Sequence, residues 1–232
     1  MILTANQPFL FPYINYFQLI KIADVFMIAD DFQYTPQAWI NRNRILMNGK
    51  EFLFIINVIG GSQNKLINEV HIVDNQHYKI LKTIESCYRK APFFTDVFPI
   101  LEEIFHYNDR NIAKFNGNSL MKISDYLHLG TKFIVSSEIE GLNRSLNSQE
   151  RVINFCKVLK PDVYINLPSQ SKILYHKEEF QKNGIDFYFL KTKPIVYKQY
   201  SNTFIPNLSM IDVLMFNSVE QTNEFLEQYE LV

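Results

Sequence analysis

The first twenty-nine residues constrain the fold more than any other stretch. A short apolar run, Ile2 to Ala5, is closed by Asn6-Gln7-Pro8, where proline removes a ladder donor and restricts the residue before it. From Tyr13 the residues Tyr13, Phe17 and Ile20 recur at helical spacing as far as Ala23, and Val25 to Ala29 forms a second buried run. Strand, loop, helix, strand is a βαβ unit, so the two strands are expected to lie parallel with a right-handed crossover.

Past Asp30-Asp31 the pattern changes. Trp39 to Leu46 and Phe52 to Val58 flank Asn48-Gly49, a hairpin turn signal, so an antiparallel ribbon is expected. Val70 to Val73 reads as a short strand. Helices are predicted at Tyr78 to Tyr88, Asp96 to His106 and Asn111 to Leu129. Lys132 to Val135, Val163 to Asn166 and Ile185 to Leu190 read as strands alternating with helices at Gln149 to Leu159 and Tyr175 to Lys182. Asn183-Gly184 stops the latter helix, and helices close the chain at Met210 to Phe216 and Ser218 to Tyr229. The expected architecture is α/β: a Rossmann-like, mostly parallel sheet with an antiparallel β-ribbon and a helical insertion at about 76–130. One domain over residues 1–232 is expected, because no repeat, low-complexity tract or linker divides the chain.

A hydrophobic content of 47%, with 20 Phe and 13 Tyr, supplies enough apolar surface to exclude a disordered chain. A net charge of -1 gives no global field for nucleic acid, so an anionic ligand would have to meet a local cluster. The two cysteines, Cys87 and Cys156, have neither disulfide-framework number nor Cys-x-x-Cys spacing. No signal peptide and no membrane-spanning run is legible, so the expectation is a cytoplasmic protein. Gly-x-Ser-x-Gly, P-loop and Gly-x-Gly-x-x-Gly motifs are absent from the sequence, which argues against an α/β serine hydrolase, a P-loop kinase and a dinucleotide-dependent dehydrogenase. The five histidines have no metal-ligand spacing, and no metal site is expected.

Chemistry concentrates between Gln7 and Ile45. On a strand, period two puts Arg42 and Arg44 on one face and Trp39, Asn41, Asn43 and Ile45 on the other. Two guanidiniums on one face suit a diphosphate or carboxylate. They equally suit separate pairing with acids such as Asp30, Asp31 or Glu51, and the pattern leaves both readings open. Asp30 and Asp31 stand where the second strand ends, the edge at which ligands of open α/β sheets bind. Because consecutive residues face opposite ways, they are not expected to form a shared-proton dyad; at most one would face the ligand as a general base, and a turn-capping acid is the commoner fate. Gln7, after the first strand, belongs to the same edge. His71, inside Val70 to Val73, is a further candidate base or a structural histidine. Tyr197, Gln199 and Phe204 to Asp212 form a second polar and aromatic cluster, in which Ser209 and Asp212 fit a capping box.

Gln7-Pro8, Pro12, Tyr16-Phe17, Ala23-Asp24, Asp30-Asp31, Gln33-Tyr34, Trp39 to Ile45 and Phe204 to Asp212 together resemble the signature of the WbqC-like family. The resemblance implies a setting in bacterial O-antigen and other surface-polysaccharide gene clusters, and glycyl or aminoacyl transfer to amino sugars. It adds Tyr16, Gln33 and Asn207 to the candidate ligand residues beside Gln7, Trp39, Asn41, Arg42, Arg44 and Tyr197. The chain departs from the family pattern at Asn6, where many relatives have His or Ser, and at Ser169-Gln170-Ser171, where they have a glycine-rich turn. The layout up to Asp31 is also similar to nucleotidylyltransferase-like domains, whose paired histidines are missing here.

Three readings follow. In the first, the chain transfers an acyl or aminoacyl group to the amine of a nucleotide-linked amino sugar. Arg42 and Arg44 would hold the diphosphate, Gln7 and Asn41 would orient the sugar, and Asp30, Asp31 or His71 would accept the proton. The donor would be a thioester tethered to an acyl or peptidyl carrier protein, with no cofactor assigned. In the second, the same cluster binds a sugar nucleotide or partner without turnover. In the third, the chain is a nucleotidyl- or glycosyltransferase. The sequence does not reach the oligomeric state.

Overall fold

The computed structural model describes residues 1–73, 77–146, 148–168, 175–200 and 203–232. The Ser169-Gln170-Ser171 departure lies outside the described residues.

A six-stranded sheet is built around the opening βαβ unit. Strand β1 (Ile2–Asn6) pairs in parallel with β2 (Val25–Ile28) on one side. On its other side it pairs in parallel with β8 (Val163–Asn166). Beyond β2 lies β7 (Lys132–Val135), also parallel. Beyond β8 lies parallel β9 (Asp186–Thr192), followed by antiparallel β10 (Tyr229–Leu231). The order is therefore β10-β9-β8-β1-β2-β7. From β1 the chain proceeds to one side, and from β8 to the other. The crevice between their carboxyl ends is thus the switch point at which doubly wound sheets bind ligands.

Each strand sends alternate side chains to opposite faces. Leu3, Ala5 and Met27 join the core under helix α5 (Ser148–Leu159) and helix α6 (Lys177–Lys182). Phe26 and Ile28 join a larger core containing helices α1 (Ile14–Ile22), α4 (Ile112–Tyr126), α7 (Met210–Phe216) and α8 (Val219–Leu226). Helix α1 is buried almost all round, and even Gln18 is inside. Its amide donates to the carbonyls of Phe225 and Gln228 while its oxygen accepts from Thr192.

Local signals explain several boundaries. The ribbon strands β3 (Arg42–Met47) and β4 (Lys50–Ile55) join through Asn48 and Gly49, whose φ values of 51° and 74° are those of the tight primed turn. Asn111 caps α4 by accepting from the N–H groups of Ala113 and Lys114. Gly184 at φ 72° closes α6, with Ile185 N–H reaching back to Phe180. Helices α2 (His77–Tyr88), α3 (Phe94–Phe105) and α4 lie between the short β5–β6 ribbon (Val58–Ile59 and His71–Ile72) and β7.

The structure corrects three expectations. Residues Trp39 to Asn41 are turn rather than strand, so β3 starts at Arg42. The C-terminal helix stops at Leu226, and Tyr229 to Leu231 turns back as an edge strand. Ser209 does not form a capping box with Asp212: its hydroxyl is buried without a partner and the carboxylate turns elsewhere.

Candidate functional site

The loop after β1 forms one wall of the switch-point crevice, and it is pinned from several directions. Tyr16 Oη donates to the Gln7 carbonyl at 2.7 Å. Asn43 Nδ2 donates to the carbonyls of Leu10 and Phe11 at 2.8 and 2.7 Å, and Asn116 Nδ2 to those of Pro8 and Ile40 at 2.7 and 2.8 Å. Met210 N–H reaches Pro12 at 3.0 Å. Phe11 sits at φ 43°, a left-handed conformation costly for a residue with a Cβ and maintained by those ties.

Beside this loop a cavity of about 640 Å³ opens at the carboxyl ends of β1, β2 and β8. Its polar lining comes from Asn6, Gln7, Asn15 and Asn166, its aromatic lining from residues including Trp39 and Tyr175. Asn6 and Asn166 each accept the next residue's N–H at Oδ1, at 2.8 Å. Burial pushes the Tyr175 phenol up, with Asn166 partly opposing it. No Asp, Glu, His, Lys or Arg lines this cavity among the described residues.

A second hollow of about 290 Å³ shares Phe9, Asn15, Trp39 and Leu167 with it and adds Tyr16, Arg44 and Asn207. A third, on the ribbon, is walled by Gln37, Trp39, Arg42, Arg44, Glu51 and Leu53. Trp39 borders all three, so the hollows adjoin one another from the sheet edge to the arginines. The two arginines share a ribbon face, as period two requires. Trp39 lies on their side instead of opposite them, because it precedes the strand; its ring sits 5.0 Å from the Arg44 guanidinium. Arg44 pairs with Glu51 at 3.0 Å. Arg42 makes no ion pair among the described residues, and its buried Nε has no partner.

The structure thus places Gln7, Tyr16, Trp39, Arg42, Arg44 and Asn207 along this adjoining set of hollows, though Tyr16 spends its hydroxyl on the loop. Asn41 points inward, its amide donating to Ile56 at 2.9 Å and its oxygen buried without a partner. Gln33 is exposed beside Leu66. Tyr197 donates to Asp212 at 2.6 Å, within a buried cluster where Tyr88 and Gln199 also donate to that carboxylate. Burial raises the pKa of Asp212. His71 is exposed on β6.

Asp30 and Asp31 turn to opposite sides. Asp31, 2% exposed, is clasped by Arg144 Nε at 2.7 Å and Arg151 at 2.6 Å. Arg151 also stacks 3.9 Å from the Phe32 ring centroid, and its burial lowers its pKa. Asp30 faces the α4 side and borders a separate cavity of about 390 Å³ between β2 and β7. Neither carboxylate lines the larger cavity. Sequence reasoning missed Asn15, Asn166 and Tyr175; Asn166, at the end of an expected strand, carried the same positional signal that drew notice to Asp30.

Among the described residues, no group of three or more His, Cys, Asp or Glu is placed to hold a metal ion, and no helix is long and apolar enough to cross a membrane. A model of the WbqC-like protein family matches residues 7–224. The chain is also 27% identical over 222 residues to an uncharacterized protein of Mycobacterium tuberculosis, covering 93% of each. No solved structure matches it.

Proposed function

Because the chain belongs to the WbqC-like protein family, we propose that it is a transferase of bacterial surface-polysaccharide biosynthesis. It adds an acyl or aminoacyl group to the amine of a nucleotide-linked amino sugar. The observation that carries this reading is the set of adjoining hollows that all border Trp39, with carboxamides and aromatic rings at one end and two arginines at the other. A sugar ring suits the first end, since amides satisfy hydroxyl groups and aromatic faces cover C–H surfaces. A diphosphate suits the second, where Arg42 offers a guanidinium without an ion pair.

In the reaction proposed, the sugar nitrogen bonds to the carbonyl carbon of a carrier-tethered thioester. The carbon–sulfur bond breaks, and the nitrogen's proton goes to the departing thiolate. The side-chain amides along the cavity, from Asn6, Gln7 and Asn15, would supply donors to the developing oxyanion. The second reading, binding of the sugar nucleotide without turnover, draws on a described lining of the larger cavity in which amides and aromatic rings predominate and carboxylates and histidines do not figure.

Trp39 is the chain's sole tryptophan, so its fluorescence reports ligand entry directly. Titration with uridine and thymidine diphosphate amino sugars should change that signal. Arg42→Ala should weaken binding by about 2 kcal/mol, about thirtyfold, as expected for a lost bond to a charged group. Unchanged affinity would refute the diphosphate role. Mass spectrometry of the bound sugar with an acyl thioester present separates transfer from binding alone.

A further inference from the structure

The cavity between β2 and β7 lies across the sheet from the larger cavity just described. Ile28 and Asp30 line it, while Ala29 between them lines the other, as strand alternation demands. Its apolar lining comes from Ile28 and Val135, with the exposed Met121 at the mouth, and its polar lining includes Asp30, Ser137 and Glu138.

Asp30 is 5% exposed. Its carboxylate accepts from Ser136 Oγ at 3.0 Å, Ser137 N–H at 3.0 Å, Ser137 Oγ at 2.7 Å and Asn68 Nδ2 at 3.2 Å. Every one of these donors is neutral. The nearby cations, Arg144 and Arg151, both bond to Asp31 on the other face. Lys114, on the rim, pairs with Asp109 at 2.9 Å, and Glu138 adds a second negative charge there. Buried charges in proteins are normally paired. Asp30 is fully hydrogen-bonded, but no cation bonds to it directly; Arg151 acts on it only through space, and the cavity is the side from which a cation can approach.

We infer that this cavity binds a small molecule carrying a primary ammonium group, which contacts Asp30 and Glu138, and an apolar group, which rests on Ile28, Val135 and Met121. About 390 Å³ accommodates a ligand of amino-acid amide size. The site is independent of the Arg42 depression and stands or falls separately from it.

Calorimetry and saturation-transfer NMR with L-leucinamide, L-phenylalaninamide and isopentylamine at pH 6.5 test it, with 4-methylpentanamide as the isostere lacking the ammonium. At least one amine should bind, and 4-methylpentanamide at least tenfold more weakly than L-leucinamide. Asp30→Asn should weaken the amine at least tenfold. Met121→Trp fills the mouth from a partly exposed position, and should do the same in a variant whose fold does not depend on Asp30. Arg42→Ala should leave the amine affinity unchanged. The inference is overturned if none of the three amines binds, if the neutral isostere binds equally well, or if Met121→Trp binds as the wild type does.

Discussion

Replacing Asn43 by Leu tests whether the asparagine face of the ribbon is a clamp or a ligand surface. Leu keeps the branching and side-chain heavy-atom count of Asn, so the change removes hydrogen bonds without opening a cavity. Three are lost: those from Nδ2 to Leu10 and Phe11, and that from Arg44 N–H to Oδ1 at 2.7 Å. Phe11 keeps a contact from Met210 at 3.3 Å, whereas no other donor to the Leu10 carbonyl is in place outside the regular ladders. One orphaned buried carbonyl at about 1–3 kcal/mol and two further bonds at about 1 kcal/mol each give about 3–5 kcal/mol. For a chain of this size that lowers Tm by about 10 °C. Asn41→Leu makes the contrast. It orphans the buried Ile56 carbonyl but also removes an oxygen buried without a partner, and the second partly offsets the first, so about 1–2 kcal/mol is expected. Urea unfolding of both variants, with an unchanged m-value as the check on two-state behaviour, gives the difference. Equal destabilisation of the two, or a loss below about 1 kcal/mol in Asn43→Leu, would refute the clamp.

Arg151→Met should cost about 3–5 kcal/mol by leaving Asp31 buried with one arginine, and the double variant with Asp31→Leu should recover part of that; a thermal double-mutant cycle with no coupling would contradict the pairing. Burial raises the folded pKa of Asp212 above the usual 3.8. Its contribution to stability is therefore present below the unfolded pKa and lost as pH rises through the folded one. Unfolding free energies of Asp212→Asn should gain on the wild type as pH rises from about 3 to about 7, and a constant gap would rule the linkage out.

What was legible in the sequence follows from how local each determinant is. The Asn48-Gly49 turn needs only its own two left-handed residues, and the βαβ unit needs only apolar period and a loop. The place of β8 beside β1 depends on pairing across some 160 residues, and the edge strand β10 on docking against β9. The ligand wall was partly visible. Gln7 and the arginines were found by position and charge, but Asn15 and Tyr175 reach the cavity only through tertiary approach. The fate of Asp31 was hidden for the same reason. Its two counterions lie more than a hundred residues away, and nothing local distinguishes a carboxylate clasped by distant arginines from one facing a ligand.

The alternation at Ile28-Ala29-Asp30 also decides how chemistry can be divided in this fold. Strand β2 contributes only a methyl group to the larger cavity, so a base working there has to come from somewhere other than the paired aspartates. That suits a transfer in which the leaving thiolate takes the amine's proton and the protein supplies amide donors and position. The carboxylate that β2 does present faces the other side, ringed by neutral donors. Ser136 stands between the two aspartates and bonds to both, so a charge arriving at Asp30 would bear directly on the hydrogen bond that Asp31 receives. Asp31 in turn holds Arg151 on α5, the helix whose Val152 and Phe155 line the larger cavity. The same few residues at the sheet edge therefore fix the polar lining of one cavity and, through Arg151, the helix that walls the other.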